Sequence, residues 1–142
     1  MAVSPVYTAH GSSAGGRDGK GLIAGTDLVL DLAPPKEMGG SGNGYNPEQL
    51  FAVGYSACYI GAMKFAASQD KSLPKVPDSV EVEAAVGIGP REAGGFGLAV
   101  TLKVSLPGVD KAEAGRLAEV AHTICPYSNA VQGNVDVVIE VV

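Results

Sequence analysis

The two cysteines, Cys58 and Cys125, are the residues of this sequence best suited to covalent chemistry. A thiolate is a nucleophile that oxidises reversibly, so that two thiols held together can form and break a disulfide. Free cysteines are also often small buried hydrophobic residues with no chemistry. Cys125 stands before Pro126 at the predicted end of a helix, a place that favours exposure, and two packed helices could bring the thiols together. A redox pair and a pair of core residues are both open interpretations.

A reactive Cys58 needs a cation nearby, because burial alone raises the pKa of a thiol. With only ten Lys and Arg in the chain, Arg17 in its glycine-bounded turn is the natural candidate, and Glu48 could fix its planar guanidinium. Glu48 and Cys58 are ten residues apart on one predicted helix, which places them roughly 15 Å apart along its axis. If both serve one site, one of them comes from a second subunit. The catalytic interpretation of Cys58 therefore predicts a homodimer with shared sites.

Three other motifs resemble known functional sites but lack features that those sites require. The glycine-rich loop 39–44 lacks both the ending of a P-loop and the spacing of a dinucleotide fingerprint. Ser56 lies inside a predicted helix, whereas the serine of a nucleophile elbow follows a strand. The two histidines, His10 and His122, form no ligand pair with the spacing of a zinc site. We therefore predict no bound cofactor and no metal.

Composition indicates one globular domain over residues 1–142. Of these residues 46% are hydrophobic and 18% charged, which is typical of a chain with a packed core. The net charge of −5, with no run of Lys or Arg, argues against a nucleic-acid partner. The first twenty residues lack the apolar segment of a signal peptide. A cytoplasmic protein with no membrane partner is the expectation, and structural disulfides are rare in that compartment.

A helix beginning at Pro47 and running to about Ser68 is the element around which the chain is organised. Asn46 is a good N-cap and Pro47 suits the first helical position. The segment 50–63 carries no formal charge and has apolar residues on every side, which predicts a helix buried all round and too short to span a bilayer.

Strands are predicted on both sides of this helix. Residues 3–9 read as an edge strand and 22–32 as a second strand, while 80–88 and 96–106 form a hairpin. A second helix opens at Asp110, with Glu113 completing a capping box, and ends before Pro126. Residues 135–142 form a last strand. The order ββαββαβ predicts an α+β fold.

Three segments together resemble the organic hydroperoxide resistance (Ohr) branch of the OsmC/Ohr family. They are Asn46-Pro47-Glu48-Gln49-Leu50-Phe51 leading into Gly54-Tyr55-Ser56-Ala57-Cys58, then His122-Thr123-Ile124-Cys125-Pro126-Tyr127-Ser128-Asn129, and the early Gly16-Arg17-Asp18-Gly19. The resemblance spans essentially the whole chain. One departure is Val131-Gln132, where many members carry Thr-Arg.

The resemblance implies an intertwined homodimer in which two β-sheets wrap around central helices. It implies a thiol peroxidase that reduces organic hydroperoxides, fatty-acid hydroperoxides included, to alcohols. By the same match Cys58 is the peroxidatic and Cys125 the resolving cysteine, and Arg17 with Glu48 activates the thiolate and orients the peroxide. The expected reductant is an external dithiol, dihydrolipoamide or a lipoylated protein.

Two other classes of function are compatible with the two cysteines. A thiol-based peroxide sensor would form the same disulfide but signal through a change of shape. A non-catalytic carrier of apolar molecules would use the cysteines as core residues, and its thiols would not react with peroxide.

Overall fold

The computed structural model describes residues 2–142. They fall into two compact units, one ending at Pro47 and the other spanning Glu48–Val142. Each unit contains one three-stranded sheet. The first unit also has two short 3-10 helices, Gly16–Asp18 and Lys36–Met38, whereas the three α-helices belong to the second unit apart from Pro47, where the first of them begins. The predicted α+β class is confirmed.

The first unit is a small antiparallel sheet of strands β1 (Gly11–Ala14), β2 (Lys20–Ile23) and β3 (Val29–Asp31), in that order. A 3-10 turn over Gly16–Asp18 joins β1 to β2. Gly15 before this turn has a φ of 84°, a conformation that favours glycine. Lys20 and Asp31 face each other across β2 and β3, and their side chains form an exposed ion pair of 2.5 Å.

Two strand predictions in this unit were wrong. Residues 3–9 form no strand, and the edge strand is the Gly/Ser-rich segment 11–14. The predicted strand 22–32 is two strands joined by a turn at Gly25, whose φ is 78°. Thr26 stabilises this turn, because its hydroxyl donates to the Ile23 carbonyl and accepts from the Leu28 N–H. The alternating leucines concealed the turn.

The second unit contains helix α1 (Pro47–Gln69), strands β4 (Glu81–Pro90) and β5 (Phe96–Ser105), helices α2 (Lys111–Ile124) and α3 (Pro126–Val131), and strand β6 (Val137–Val141). The hairpin is confirmed, since β4 and β5 pair antiparallel from Glu81 opposite Ser105 to Pro90 opposite Phe96. β6 adds in parallel to β5 after the α2–α3 crossover. The Asp110 side chain accepts from the Glu113 N–H, as its N-cap role predicts.

The core of this unit lies where one face of α1 meets the sheet and α2. The largest fully buried side chains are Tyr55, Tyr59 and Met63 of α1, with Leu102 of β5 and Leu117 of α2. These residues belong to one continuous hydrophobic cluster, against which Cys58 also packs. The cluster fixes the orientation of α1 relative to α2.

α1 is not buried all round, contrary to the prediction. An exposed face opposite the core carries Leu50, Val53, Ala57, Gly61 and Phe65, spaced by three or four residues. Val53 is 71% and Phe65 54% exposed. By length and composition, the 23-residue helix α1 is also long and apolar enough to cross a membrane. The prediction that it is too short to span a bilayer was therefore wrong. A core helix passes the same test.

Candidate functional site

Cys58 is placed by α1 at the border between the buried and exposed faces of the helix. Tyr55 and Tyr59, on its two sides in the sequence, are fully buried and anchor this part of α1 in the core. The Cys58 side chain is half-buried. The thiol is therefore held by a rigid helix yet remains partly open to solvent.

Cys125 lies between α2 and α3 and belongs to both helix ends. Its N–H donates to the Ala121 carbonyl at 2.8 Å, and its carbonyl accepts from the Asn129 N–H at 3.0 Å. Pro126 ends α2 and opens α3, a favoured position for proline. The prediction that this site favours exposure was wrong, because the Cys125 side chain is 0% exposed. The side chain belongs to the buried hydrophobic cluster of this unit.

The two thiols face each other with a distance of 3.4 Å between Cys58 Sγ and Cys125 Sγ, and the Cys125 thiol donates to Cys58. Both cysteines are free. A disulfide bond is about 2.05 Å long, so the sulfur atoms need to approach by little more than an ångström to form one. The two helices thus bring together the two cysteines that the sequence singled out.

The surroundings of Cys58 favour its neutral form. Burial raises the pKa of the Cys58 thiol, the Tyr127 backbone N–H opposes this by hydrogen bonding to the sulfur, and Cys125 raises it further. The net direction is upward. A nucleophilic thiolate at neutral pH therefore needs a positive charge beside it.

A chain of hydrogen-bonded side chains lies next to the thiols. Tyr55 Oη is 2.8 Å from Ser128 Oγ, and Ser128 Oγ is 2.9 Å from His122 Nδ1. From the sequence, no functional role was assigned to Tyr55 or Ser128, and His122 was considered only as a metal ligand. The only signal in the sequence was spacing, since His122 and Ser128 are each three residues from Cys125.

Three aromatic rings form a wall close to Cys58. The centroids of Phe51, Tyr55 and Tyr127 lie 5.6 to 5.8 Å apart in pairs, distances typical of favourable aromatic contacts. Gly54 makes room for one of them, because a Cβ at this position would lie 2.9 Å from Tyr127 Oη. The wall gives the thiols an apolar neighbourhood.

Arg17 and Glu48 lie elsewhere in the chain. Arg17 is half-buried in the 3-10 turn of the first unit, and Glu48 is half-buried in the first turn of α1. Glu48 is ten residues from Cys58 on the same helix, so α1 itself keeps them apart. The activating roles of both residues stay predictions. Within residues 2–142, no group of three or more His, Cys, Asp or Glu side chains could hold a metal ion.

Comparison with known proteins identifies the family. The model of the OsmC-like protein family matches residues 40–140. An organic hydroperoxide resistance protein of Xanthomonas axonopodis pv. citri is 51% identical over 133 residues, which cover 93% of this chain and 92% of that one. OhrA of Bacillus subtilis is 41% identical over 143 residues, covering 96% of each chain.

Solved structures of organic hydroperoxide resistance proteins have the same fold as this chain. A putative organic hydroperoxide resistance protein of Vibrio cholerae, with captopril bound in one of its active sites, matches with a TM-score of 0.89 at 43% identity over 99% of this chain and 95% of that one. OhrB of Bacillus subtilis matches with a TM-score of 0.86 at 37% identity over 97% and 100%. The chain therefore belongs to the OsmC/Ohr family. Within that family its relatives place it in the organic hydroperoxide resistance branch.

Proposed function

We propose that the protein is a two-cysteine thiol peroxidase that reduces organic hydroperoxides to alcohols in the cytoplasm. The observation that carries this proposal is the 3.4 Å between the sulfur atoms of Cys58 and Cys125. Two cysteines used only as core filler have no need to face each other. The names of the relatives support the same role, since they are organic hydroperoxide resistance proteins.

The first step uses Cys58, the more accessible thiol. Its thiolate attacks the terminal oxygen of the hydroperoxide, the O–O bond breaks, and an S–O bond forms. The alkoxide leaves and takes up a proton to become the alcohol, and Cys58 becomes a sulfenic acid. The aromatic wall of Phe51, Tyr55 and Tyr127 favours alkyl and fatty-acid hydroperoxides over hydrogen peroxide. An alkyl chain buries apolar surface against these rings, whereas hydrogen peroxide has no apolar surface to bury.

The second step uses Cys125. Its sulfur attacks the Cys58 sulfenic acid, the S–O bond breaks, an S–S bond forms, and the hydroxyl leaves as water with the proton of the Cys125 thiol. An external dithiol then reduces the disulfide by exchange, and a lipoylated protein or dihydrolipoamide is the reductant that the family resemblance implies. Because Cys125 is fully buried, attack on the more exposed Cys58 sulfur is the accessible route for that reductant.

Activation of Cys58 is assigned to Arg17, with Glu48 fixing the guanidinium. This assignment is supported by the need for a cation, since burial raises the pKa of the Cys58 thiol. It is also supported by the matching early motif around Arg17. Glu48 and Cys58 are separated along one helix, so that Glu48 acts at the site of a second subunit.

A homodimer is part of the proposal. The exposed face of α1, from Leu50 through Val53, Ala57 and Gly61 to Phe65, is a continuous apolar stripe, and such stripes mark contact surfaces. Ala57 and Gly61 are small enough for another helix to approach closely. Cys58 borders this face, so a second subunit covering it would lie beside the thiol.

Steady-state turnover with an alkyl hydroperoxide and a lipoyl-type dithiol tests the proposal. Replacement of Cys58 by serine should abolish turnover. Replacement of Cys125 by serine should leave one equivalent of peroxide consumed but stop recycling through the intramolecular disulfide. Normal multiple turnover by the Cys125→Ser variant would contradict the two-cysteine scheme, while disulfide formation without turnover would favour a sensor.

A further inference from the structure

The peroxidase steps derived above use the ring of Tyr55 as part of the aromatic wall, but they do not use the hydrogen bonds that its hydroxyl, the Ser128 hydroxyl and His122 Nδ1 form with one another. We propose that these hydrogen bonds form a positioning network that holds Cys125 against Cys58 and so determines how fast the disulfide closes. The inference deepens the proposed function and takes its biological meaning from it, but it concerns a property of the dithiol site that can be measured without peroxide.

The position of the network relative to the thiols is the first argument. Tyr55 lies one helical turn before Cys58 on α1, while His122 and Ser128 lie three residues before and three residues after Cys125. The bonds of 2.8 Å and 2.9 Å therefore connect α1, α2 and α3. A displacement of Cys125 from Cys58 would strain or break at least one of them.

Burial is the second argument. Tyr55 is 0% and Ser128 2% exposed, and a buried hydroxyl without a partner is costly. All hydroxyl protons find an acceptor if Tyr55 donates to Ser128 and Ser128 donates to Nδ1 of a neutral His122. Each of the two buried hydroxyls therefore depends on its neighbour for a hydrogen-bond partner. The polar contacts, as well as packing, fix the geometry of the three side chains.

The chemical consequence concerns the fate of the Cys58 sulfenic acid. Closure forms the S–S bond, breaks the S–O bond, and releases water with the proton of Cys125. A second peroxide instead oxidises the sulfenic acid to a sulfinic acid, which is generally irreversible. Since closure requires the Cys125 sulfur in line with the S–O bond, a loosened Cys125 shifts the outcome toward the sulfinic acid.

Tyr59 supplies a matched control. It lies one turn beyond Tyr55 on α1, is also 0% exposed, and donates its hydroxyl to the Ala118 carbonyl of α2. Removal of its hydroxyl takes away a buried hydrogen bond between α1 and α2 but leaves the network intact. The pair Tyr55→Phe and Tyr59→Phe therefore separates positioning of Cys125 from a general loss of stability.

The test uses 5,5′-dithiobis(2-nitrobenzoate) on the reduced full-length protein. Cys58 attacks the reagent, releases one thionitrobenzoate and becomes a mixed disulfide. Cys125 then attacks the Cys58 sulfur, releases a second thionitrobenzoate, and gives up its proton to solvent. The rate of the second release is independent of reagent concentration and reports closure directly.

We expect Tyr55→Phe to slow the second release about fivefold, as the loss of one net hydrogen bond implies, and Tyr59→Phe to leave it unchanged. His122→Ala should slow it in the same way, whereas His122→Asn, which keeps a polar group at the δ position, should restore most of the rate. Melting temperatures of the variants check that all are folded.

Equal slowing by Tyr55→Phe and Tyr59→Phe, or no slowing by either, would overturn the proposal. So would a second release from the wild type that depends on reagent concentration, because the thiols would then not close on each other. A parallel measurement of the sulfinic-acid fraction after alkyl hydroperoxide should show about a fivefold rise in Tyr55→Phe. If wild-type Cys58 does not react with peroxide but the variants change the rate of the second thionitrobenzoate release as expected, the peroxidase proposal is wrong and the positioning network is still supported.

Discussion

Replacement of Gly54 by alanine should not stabilise the protein, although replacing a helical glycine by alanine usually does. A glycine inside a helix costs about 1 kcal/mol relative to alanine, and Gly54 lies well inside α1. However, the new Cβ would lie 2.9 Å from Tyr127 Oη and 3.3 Å from two carbon atoms of the ring. The Tyr127 ring must move by about half an ångström to restore ordinary contact distances.

The cost of this movement is set by how freely Tyr127 can yield. Its side chain is 38% exposed, so the ring can tilt, and the penalty falls at the lower end of the range for overpacking, about 1 kcal/mol. The gain and the penalty then cancel. Since Tyr127 also donates its backbone N–H to Cys58, the displaced segment should raise the pKa of Cys58 and slow its alkylation by iodoacetamide.

Gly115 of α2 is the matched control, because a Cβ there meets nothing within 4 Å. Denaturant unfolding should show Gly115→Ala about 1 kcal/mol more stable than wild type and Gly54→Ala no more stable than wild type. Alkylation of Cys58 should slow only in Gly54→Ala. An equal gain in stability from both substitutions would show that Tyr127 does not oppose a side chain at position 54.

Three further predictions concern charge. Arg17→Ala should raise the pKa of the Cys58 thiol, because burial then favours its neutral form, and should slow its alkylation at pH 7 by about tenfold. Val53→Asp places a carboxylate on the exposed apolar face of α1 and should convert the proposed dimer to monomer in sedimentation experiments. The Ser72 hydroxyl and N–H lower the pKa of the Asp70 carboxyl. The ionised carboxylate therefore stabilises the fold above pH about 4, and this contribution is lost as the pH falls through the lowered pKa. In thermal unfolding, Asp70→Asn should be less stable than wild type at pH 7, and the difference should shrink as the pH is lowered.

The Arg17 and Val53 variants each have a control substitution at an exposed lysine. Lys20→Ala removes an exposed cation from β2 and should leave Cys58 alkylation unchanged. Lys111→Asp adds a carboxylate to the exposed start of α2 and should leave the oligomeric state unchanged. A Val53→Asp variant that stays dimeric would contradict the proposed interface, and an Arg17→Ala variant with wild-type alkylation would contradict the assigned cation.

The elements with local signals were predictable from the sequence. Pro47 opens α1, Asp110 caps α2, and the hairpin of β4 and β5 has the predicted pairing. In each case a side chain acts on its own backbone within a few residues, or alternating apolar residues determine which side faces the core. Such signals do not depend on the rest of the fold.

The first sheet and the faces of α1 were not predictable in the same way. Residues 11–14 form β1 with all four residues exposed, so no apolar alternation marks the strand. Because the sequence of α1 is apolar on every side, it does not indicate which face of the helix is buried within the chain and which face, around Val53, is exposed. These features are decided by tertiary or subunit contacts.

Part of the candidate site was also hidden from sequence reasoning. Cys58 and Cys125 were recognisable by residue type, and their neighbouring motifs resembled a known family. The Tyr55, Ser128 and His122 contacts join three helices, so only the packed structure could show that a serine and a histidine flanking one cysteine meet a tyrosine near the other.

The decisive measurement is a thiol count on the reduced protein before and after one equivalent of an alkyl hydroperoxide, with hydrogen peroxide in parallel. Both thiols should disappear into an intramolecular disulfide between Cys58 and Cys125, faster with the alkyl hydroperoxide. Two thiols left intact after either peroxide would show that the cysteines are core residues and would contradict the account.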